Sequence, residues 1–140
     1  MTESRDARLT VSPAVDDVAQ RDGLAVLVEC GFSRAAHDGV SLTEVLLVGR
    51  TASGRLVGAV QGTTRARSRE SKVWHLGVLP DCRRRGYGRV LLAAFVEHER
   101  CAGADHVLVQ VSPGGRHELR TFYEECGFRW NGTYFRRELG

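Results

Sequence analysis

The chain has 140 residues, 42% of them hydrophobic and 26% charged, with a formal net charge of +3. That length and balance predict one domain over residues 1–140 with one buried core, and no apolar run approaches the ~20 residues of a membrane helix. The positive excess suits an anionic partner but falls short of a dedicated nucleic-acid binder. The opening MTESRDARLT lacks the apolar run of a signal peptide, so a cytoplasmic protein is expected. Cys30, Cys82, Cys101 and Cys126 are widely spread with no C-x-x-C, which reads as reduced structural thiols and no metal site.

Segment 7–13, ARLTVSP, predicts a short strand whose end opens a helix. Ser12 would be the N-cap and Pro13 the first helical residue, with Asp16 and Asp17 against the positive end of the dipole. Val15, Val18, Ala19, Leu24, Leu27 and Val28 then recur at helical spacing up to Gly31, with Gly23 weakening or bending the helix. Residues 33–39 suggest a further helical turn. EVLLVGRT (44–51) and LVGAVQGTT (56–64), joined by a turn containing Gly54, predict a hairpin. RARSRES (65–71) reads as a loop, and KVWHLGV (72–78) as a strand halted by Pro80. From Gly86 an amphipathic helix is expected, with Val90, Leu91, Ala94 and Phe95 inward and Gly103 closing it. A strand at 105–111, a helix at 117–128 ending at Gly127, and a strand at 133–139 complete the chain. Strands in succession and then in alternation with helices predict an α/β mixed sheet, mostly antiparallel, flanked by helices on both faces.

The stretch RRRGYG, residues 83–88, raises the functional question. Arg/Gln-x-x-Gly-x-Gly/Ala is weak by itself, and QRDGLA at 20–25 also matches it. That second match lies inside a predicted helix, where backbone N–H groups are already bonded. Arg83 to Gly88 instead joins the end of a strand to the start of a helix. There the first-turn N–H groups point outward with the dipole behind them, glycine permits close approach, and arginine can clamp an anion. This is a phosphate site in physical terms. The Gly-Lys-Ser/Thr of a nucleotide P-loop and the G-x-G-x-x-G of a dinucleotide fold are both absent, so a pyrophosphate such as that of coenzyme A fits best.

LGVLPDCRRRGYGRVLL resembles the coenzyme A signature of the GNAT (GCN5-related) N-acetyltransferases, V-x-P-x-x-Q/R-x-x-G-x-G/A. FYEECGF (122–128) is similar to the family's second landmark, a helix carrying Tyr and ending in Gly-Phe. The element order agrees from Arg8 onward. The resemblance implies the GNAT fold and an acetyl-CoA-dependent enzyme without a metal. It would move an acetyl group to a small-molecule amine or a peptide N-terminus by direct attack. It gives Leu76, Gly77 and Val78 to the pantetheine arm, with a Val78 N–H at the carbonyl oxygen. It gives the backbone of Arg84, Arg85, Gly86, Tyr87, Gly88 and Arg89 to the pyrophosphate, Arg83 to the opening of that loop, and Tyr123 to the general acid. A phenol is protonated at neutral pH and can donate to a departing thiolate.

Two departures stand out. The family often has Asn where this chain has Arg116, behind the loop SPGGR, and Gln110 occupies a place where some relatives carry a basic Glu. His75, Glu44, Glu70 or a water relay remain as alternatives for the base. Strand alternation would put Trp74, Leu76 and Val78 on one face and His75 on the other, with Trp74 lining the acceptor pocket. A CoA-binding module without catalysis is the rival reading, and an arginine-rich nucleic-acid module is a third. The acceptor is not legible, and dimerisation, common in this fold, is not specified by the sequence.

Overall fold

The computed structural model describes residues 8–32, 44–65, 67–111 and 116–139, with backbone alone at 116 and 117. The turn expected at 33–39 and the loop at 112–115 lie outside these residues. The elements are β1 (Thr10–Pro13), α1 (Asp17–Glu29), β2 (Glu44–Arg50), β3 (Leu56–Arg65) and β4 (Glu70–Val78). A 3-10 turn (Pro80–Cys82), α2 (Tyr87–Cys101), β5 (His106–Val109), α3 (Arg116–Glu125), β6 (Arg129–Trp130) and β7 (Phe135–Glu138) follow. Seven strands form one sheet in the order β1-β2-β3-β4-β5-β7-β6. Every pairing is antiparallel except that of β4 with β5. The mixed, mostly antiparallel sheet is therefore as expected, with β6 an addition too short to leave a period-2 signal. No helix among the described residues is long and apolar enough to cross a membrane.

Helix α1 begins later than its sequence suggests. Ser12 and Pro13 belong to β1, paired with Val48 and Leu47, and the Ala14 N–H extends that pairing to the Leu46 carbonyl at 2.9 Å. The ladder keeps the chain extended, so Asp16 becomes the N-cap, its Oδ1 accepting from the Ala19 N–H at 2.7 Å. The buried face is also turned: Ala19, Gly23, Val26 and Leu27 point inward, whereas Val15 is 83% and Val18 61% exposed. Gly23 is a contact point rather than a weak one, because a Cβ there would sit 2.7 Å from Val48 Cγ1. At the other end the Phe32 N–H bonds the Leu27 carbonyl around Gly31, closing the helix.

Leu27 packs on Leu46, Val48 and Ala59 on one face of the sheet. On the other face α2 and α3 bring Leu91, Leu92, Phe95 and Tyr123 against Leu47, Val60, Val73, Val107 and Phe135. Leu91 and Phe95 are inward as expected, but Val90 is outward, and Leu92, Val96 and Glu99 take the remaining inward places. Glu99 is fully buried; Oε1 accepts from Ser71 Oγ at 2.6 Å and from Thr64 Oγ1, while Oε2 meets His98 Nδ1 at 2.7 Å. This carboxylate ties α2 to β3 and β4 at once.

Two irregularities in β4 make the site. Gln61 pairs with His75 and Gly62 with Val73, leaving Trp74 as the extra residue of a β-bulge. Before it Val73 faces the α2 core, and after it Leu76 does. Trp74 and His75 therefore both lie on the α1 face. Trp74 Nε1 donates to Thr63 Oγ1 at 2.9 Å, and the His75 ring packs on Phe32 with centroids 4.9 Å apart. The alternation expected from sequence is corrected by this one residue: Trp74 does not share a face with Leu76 and Val78. Second, β4 pairs with β5 only from Glu70 to Val73. The Gln110 N–H reaches the Val73 carbonyl at 3.4 Å, and β4 then runs on to Val78 while β5 has ended.

Candidate active site

That divergence opens a cavity of about 620 Å³ through the sheet. It is bordered by β4 from Val73 to Val78 and by Val109 at the end of β5 with Gln110 and Val111 after it. Phe32, Trp74 and His75 wall it on the α1 face; Gly88, Leu119, Phe122 and Tyr123 wall it on the other. Leu76, Gly77, Val78, Gly88 and Tyr123, which the resemblance assigns to the cofactor and the acid, share this one space with Trp74.

The basic turn meets this cavity at Gly88. Leu79 N–H closes the β3–β4 ladder on the Val57 carbonyl at 2.9 Å, and the 3-10 turn follows at once. Arg55 braces that turn, its guanidinium bonding both oxygens of Asp81 at 3.0 and 3.3 Å and holding the Asp81 carboxyl below the usual carboxylate range. Arg84 (φ +65°) and Gly86 (φ +81°) are both left-handed, a conformation that costs a side chain roughly 1–2 kcal/mol. Left-handed residues in a turn are a feature of anion-binding nests. Gly86 caps α2 with no side chain in the way, and the first intrahelical donor is the Val90 N–H, bonded to the Gly86 carbonyl at 3.2 Å. The amides ahead of it point out along the helix axis.

The arginines divide by role. Arg84 and Arg85 are exposed, and Arg89 pairs with Glu125 at 2.6 Å. Arg83 folds back, its Nε donating to the Val78 carbonyl at 3.0 Å. The Tyr87 ring is buried in a core of Val26, Val57, Leu79 and Cys82, so only its backbone belongs to the loop. Along β4 the Leu79 N–H points to β3, so by alternation the N–H and C=O of Gly77 do too, and those of Leu76 and Val78 face the opening. Of the expected pantetheine contacts, Gly77 thus has its backbone groups turned into the sheet. Its contribution is space: a Cβ there would lie 2.9 Å from Cys30 Sγ, and that thiol donates to the Val78 carbonyl at 3.3 Å. Burial raises the Cys30 pKa, with Arg83 partly opposing it.

Tyr123 is buried at 5% exposure, with ring centroids 5.0 Å from both Phe122 and Phe135 and 6.0 Å from Phe128. Its carbonyl accepts the Phe128 N–H at 2.9 Å around Gly127, the same cap that closes α1 at Gly31-Phe32. Burial pushes the phenol well above its ordinary pKa, and Cys126 adds to this. The hydroxyl stays protonated throughout the neutral range.

The candidate bases separate cleanly. Glu70 lies at the far end of β4, bonded to His106 Nε2 at 3.2 Å, away from the cavity. Glu44 stands on β2 opposite Thr63 and does not line it. His75 does, with Nδ1 2.8 Å from Gln61 Oε1, and Gln110 lies at the edge. The Arg116 backbone opens α3, while its side chain lies outside the described residues. Among the described residues no group of three or more His, Cys, Asp or Glu is placed to hold a metal ion. Phe32, Leu119 and Phe122 were missed from the sequence. Phe32 was detectable as a hydrophobic residue after a helix-closing glycine, but nothing local says which cavity such a residue faces.

The model of the acetyltransferase (GNAT) family matches residues 16–128. The chain belongs to this family. It is accordingly a transferase, and its fold is shared across wide sequence distance. The structure of a Bacillus subtilis acetyltransferase in complex with CoA is 16% identical, with 95% of this chain and 100% of that one covered at a TM-score of 0.77. Tetrahymena GCN5 is 13% identical, with 94% and 96% covered at 0.75. Nourseothricin acetyltransferase is 23% identical, with 71% and 67% covered at 0.60. No curated protein matches the chain. In this GNAT protein the strand end, left-handed basic turn and α2 start follow one another beside the split between β4 and β5.

Proposed function

We propose that this protein is an acetyl-CoA-dependent N-acetyltransferase with a primary amine as acceptor. The observation that supports the reading is a left-handed glycine turn at a helix start that meets, at Gly88, a cavity lined from both faces of the sheet. The CoA bound to the Bacillus subtilis relative supports the same choice of cosubstrate. Bound acetyl-CoA would supply a thioester whose acyl carbon the amine attacks, the C–N bond forming as the C–S bond breaks.

The protein's own groups then have distinct tasks. Amides from Arg84 to Arg89 hold the pyrophosphate, with Arg84 and Arg85 free to screen its charge. Arg83 releases the Val78 carbonyl, so that Leu76 and Val78 pair with the pantetheine amides. The Val78 N–H faces the opening and steadies the carbonyl oxygen as negative charge develops. Tyr123, protonated and ringed by aromatics, donates to the departing sulfur. No carboxylate is among the described residues lining the cavity, so the amine's proton leaves through His75 or water. Four free thiols suit a cytoplasmic location.

Calorimetric titration with acetyl-CoA, beside Gly86→Glu, tests the reading. Binding by the parent should be lost in the variant, which places a charged side chain at φ +81° in the cradle. A folded parent that does not bind acetyl-CoA would overturn the proposal.

A further inference from the structure

Resting on the acetyltransferase reading, the geometry points to the class of acceptor: an aromatic monoamine, a primary amine on an aromatic body with no second cationic group. Among the described residues, the α1-face wall of the cavity presents Phe32, Trp74 and His75, three rings on the side away from Tyr123. They are held in place rather than merely present. Trp74 is 39% exposed, yet its indole N–H donates to Thr63 Oγ1 at 2.9 Å and the Lys72 ammonium lies over its ring at 4.2 Å. His75 is set by Gln61 at 2.8 Å and packs on Phe32 at 4.9 Å between centroids. An exposed large aromatic anchored at its polar edge offers a rigid apolar surface at little entropic cost. Offset and edge contacts with it favour an aromatic guest over an aliphatic one of similar size.

Charge selects against a second cation. Neither Asp, Glu, Lys nor Arg is among the described residues lining the cavity, so none of these gives a second ammonium on the acceptor a counter-charge. Just behind Trp74 stands the only lysine in the chain. The Lys72 ammonium is clasped between Trp74 and Tyr134, 4.4 Å from the second ring and 3.2 Å from the Tyr134 hydroxyl. It already occupies the cation site that an electron-rich ring provides, and it repels another cation approaching that wall. A polyamine therefore loses twice, whereas an aromatic monoamine places its ring on the wall and its nitrogen toward Val78 and Tyr123.

The test compares 2-phenylethylamine, hexylamine and spermidine at saturating acetyl-CoA, with CoA release as readout. Calorimetric binding of each amine to the CoA-loaded protein is measured in parallel. We expect kcat/KM, and affinity, to be about tenfold higher for phenylethylamine than for hexylamine, with spermidine lowest. Trp74→Ala should bring the first two together while the KM for acetyl-CoA moves less than twofold. Lys72→Met should narrow the gap to spermidine. Equal use of hexylamine, a preference for spermidine, an unchanged ratio in a folded Trp74→Ala, or no amine binding at all would overturn the proposal. Failure to bind acetyl-CoA would overturn the transferase reading and this proposal with it, whereas acetyl-CoA binding without a preference for phenylethylamine would overturn this proposal alone.

Discussion

Tyr123 carries its hydroxyl on a helix whose final turn is locked by the Phe128 N–H, and it is enclosed by Phe122, Phe128 and Phe135. The same enclosure would serve a purely structural residue, and substitution separates the two roles. Tyr123→Phe keeps the ring contacts and removes the hydroxyl; if the phenol donates to the leaving sulfur, kcat should fall about a hundredfold with the acetyl-CoA affinity retained. A binding module without catalysis would show no change. The pH dependence has a definite sign. Burial raises the folded pKa above the ordinary phenol value of 10.0, so Tyr123 favours the folded state below that value. That stability is lost as pH rises above 10, where the unfolded chain releases the proton and the folded one retains it. Tyr123→Phe should accordingly unfold at higher pH than the parent. The difference in phenolate absorbance between the two proteins should appear only with unfolding.

At the scale of elements, β4 bears the site because of what binds it on each side. Its first half is fastened to β5, and through Ser71 to the buried Glu99 of α2; its second half is bulged at Trp74 and open. Glu99 therefore sets where α2, and with it the basic turn, stands against the strand. Glu99→Ala leaves the Ser71 and Thr64 hydroxyls without their acceptor and should cost about 3 kcal/mol in urea unfolding. Glu99→Gln keeps the Oε1 acceptor and should lose less than half of that. Equal losses in both would mean that packing, not the hydrogen bonds, holds α2.

For the whole molecule, the cavity is a gap in an otherwise continuous sheet, so a molecule bridging β4 and β5 adds contacts that only the folded chain can make. Acetyl-CoA at a hundred times its Kd should stabilise the protein by about 2.7 kcal/mol. In a thermal scan that corresponds to a rise in Tm of roughly 10 °C for a domain of this size. CoA without the acetyl group should give most of the shift, because the pyrophosphate cradle is common to both. Inorganic phosphate should give little of it, since it leaves the gap between β4 and β5 open.

The local order of strand, basic glycine turn and helix was determined by the sequence alone, because helix starts, glycine turns and apolar runs are set by near neighbours. So was the pairing of RRRGYG with the Tyr-to-Gly-Phe helix, which together mark the family. Four things were decided only by tertiary structure. The α1 cap moved from Ser12 to Asp16 because β1 pairs with β2, and the buried face of α1 turned to let Gly23 meet Val48. Trp74 and His75 came to share a face through a bulge defined by β3, not by β4 itself. The Arg83 side chain went to Val78 rather than outward. The first three depend on atoms far away in the chain, and the fourth on a turn geometry that periodicity within a segment does not record.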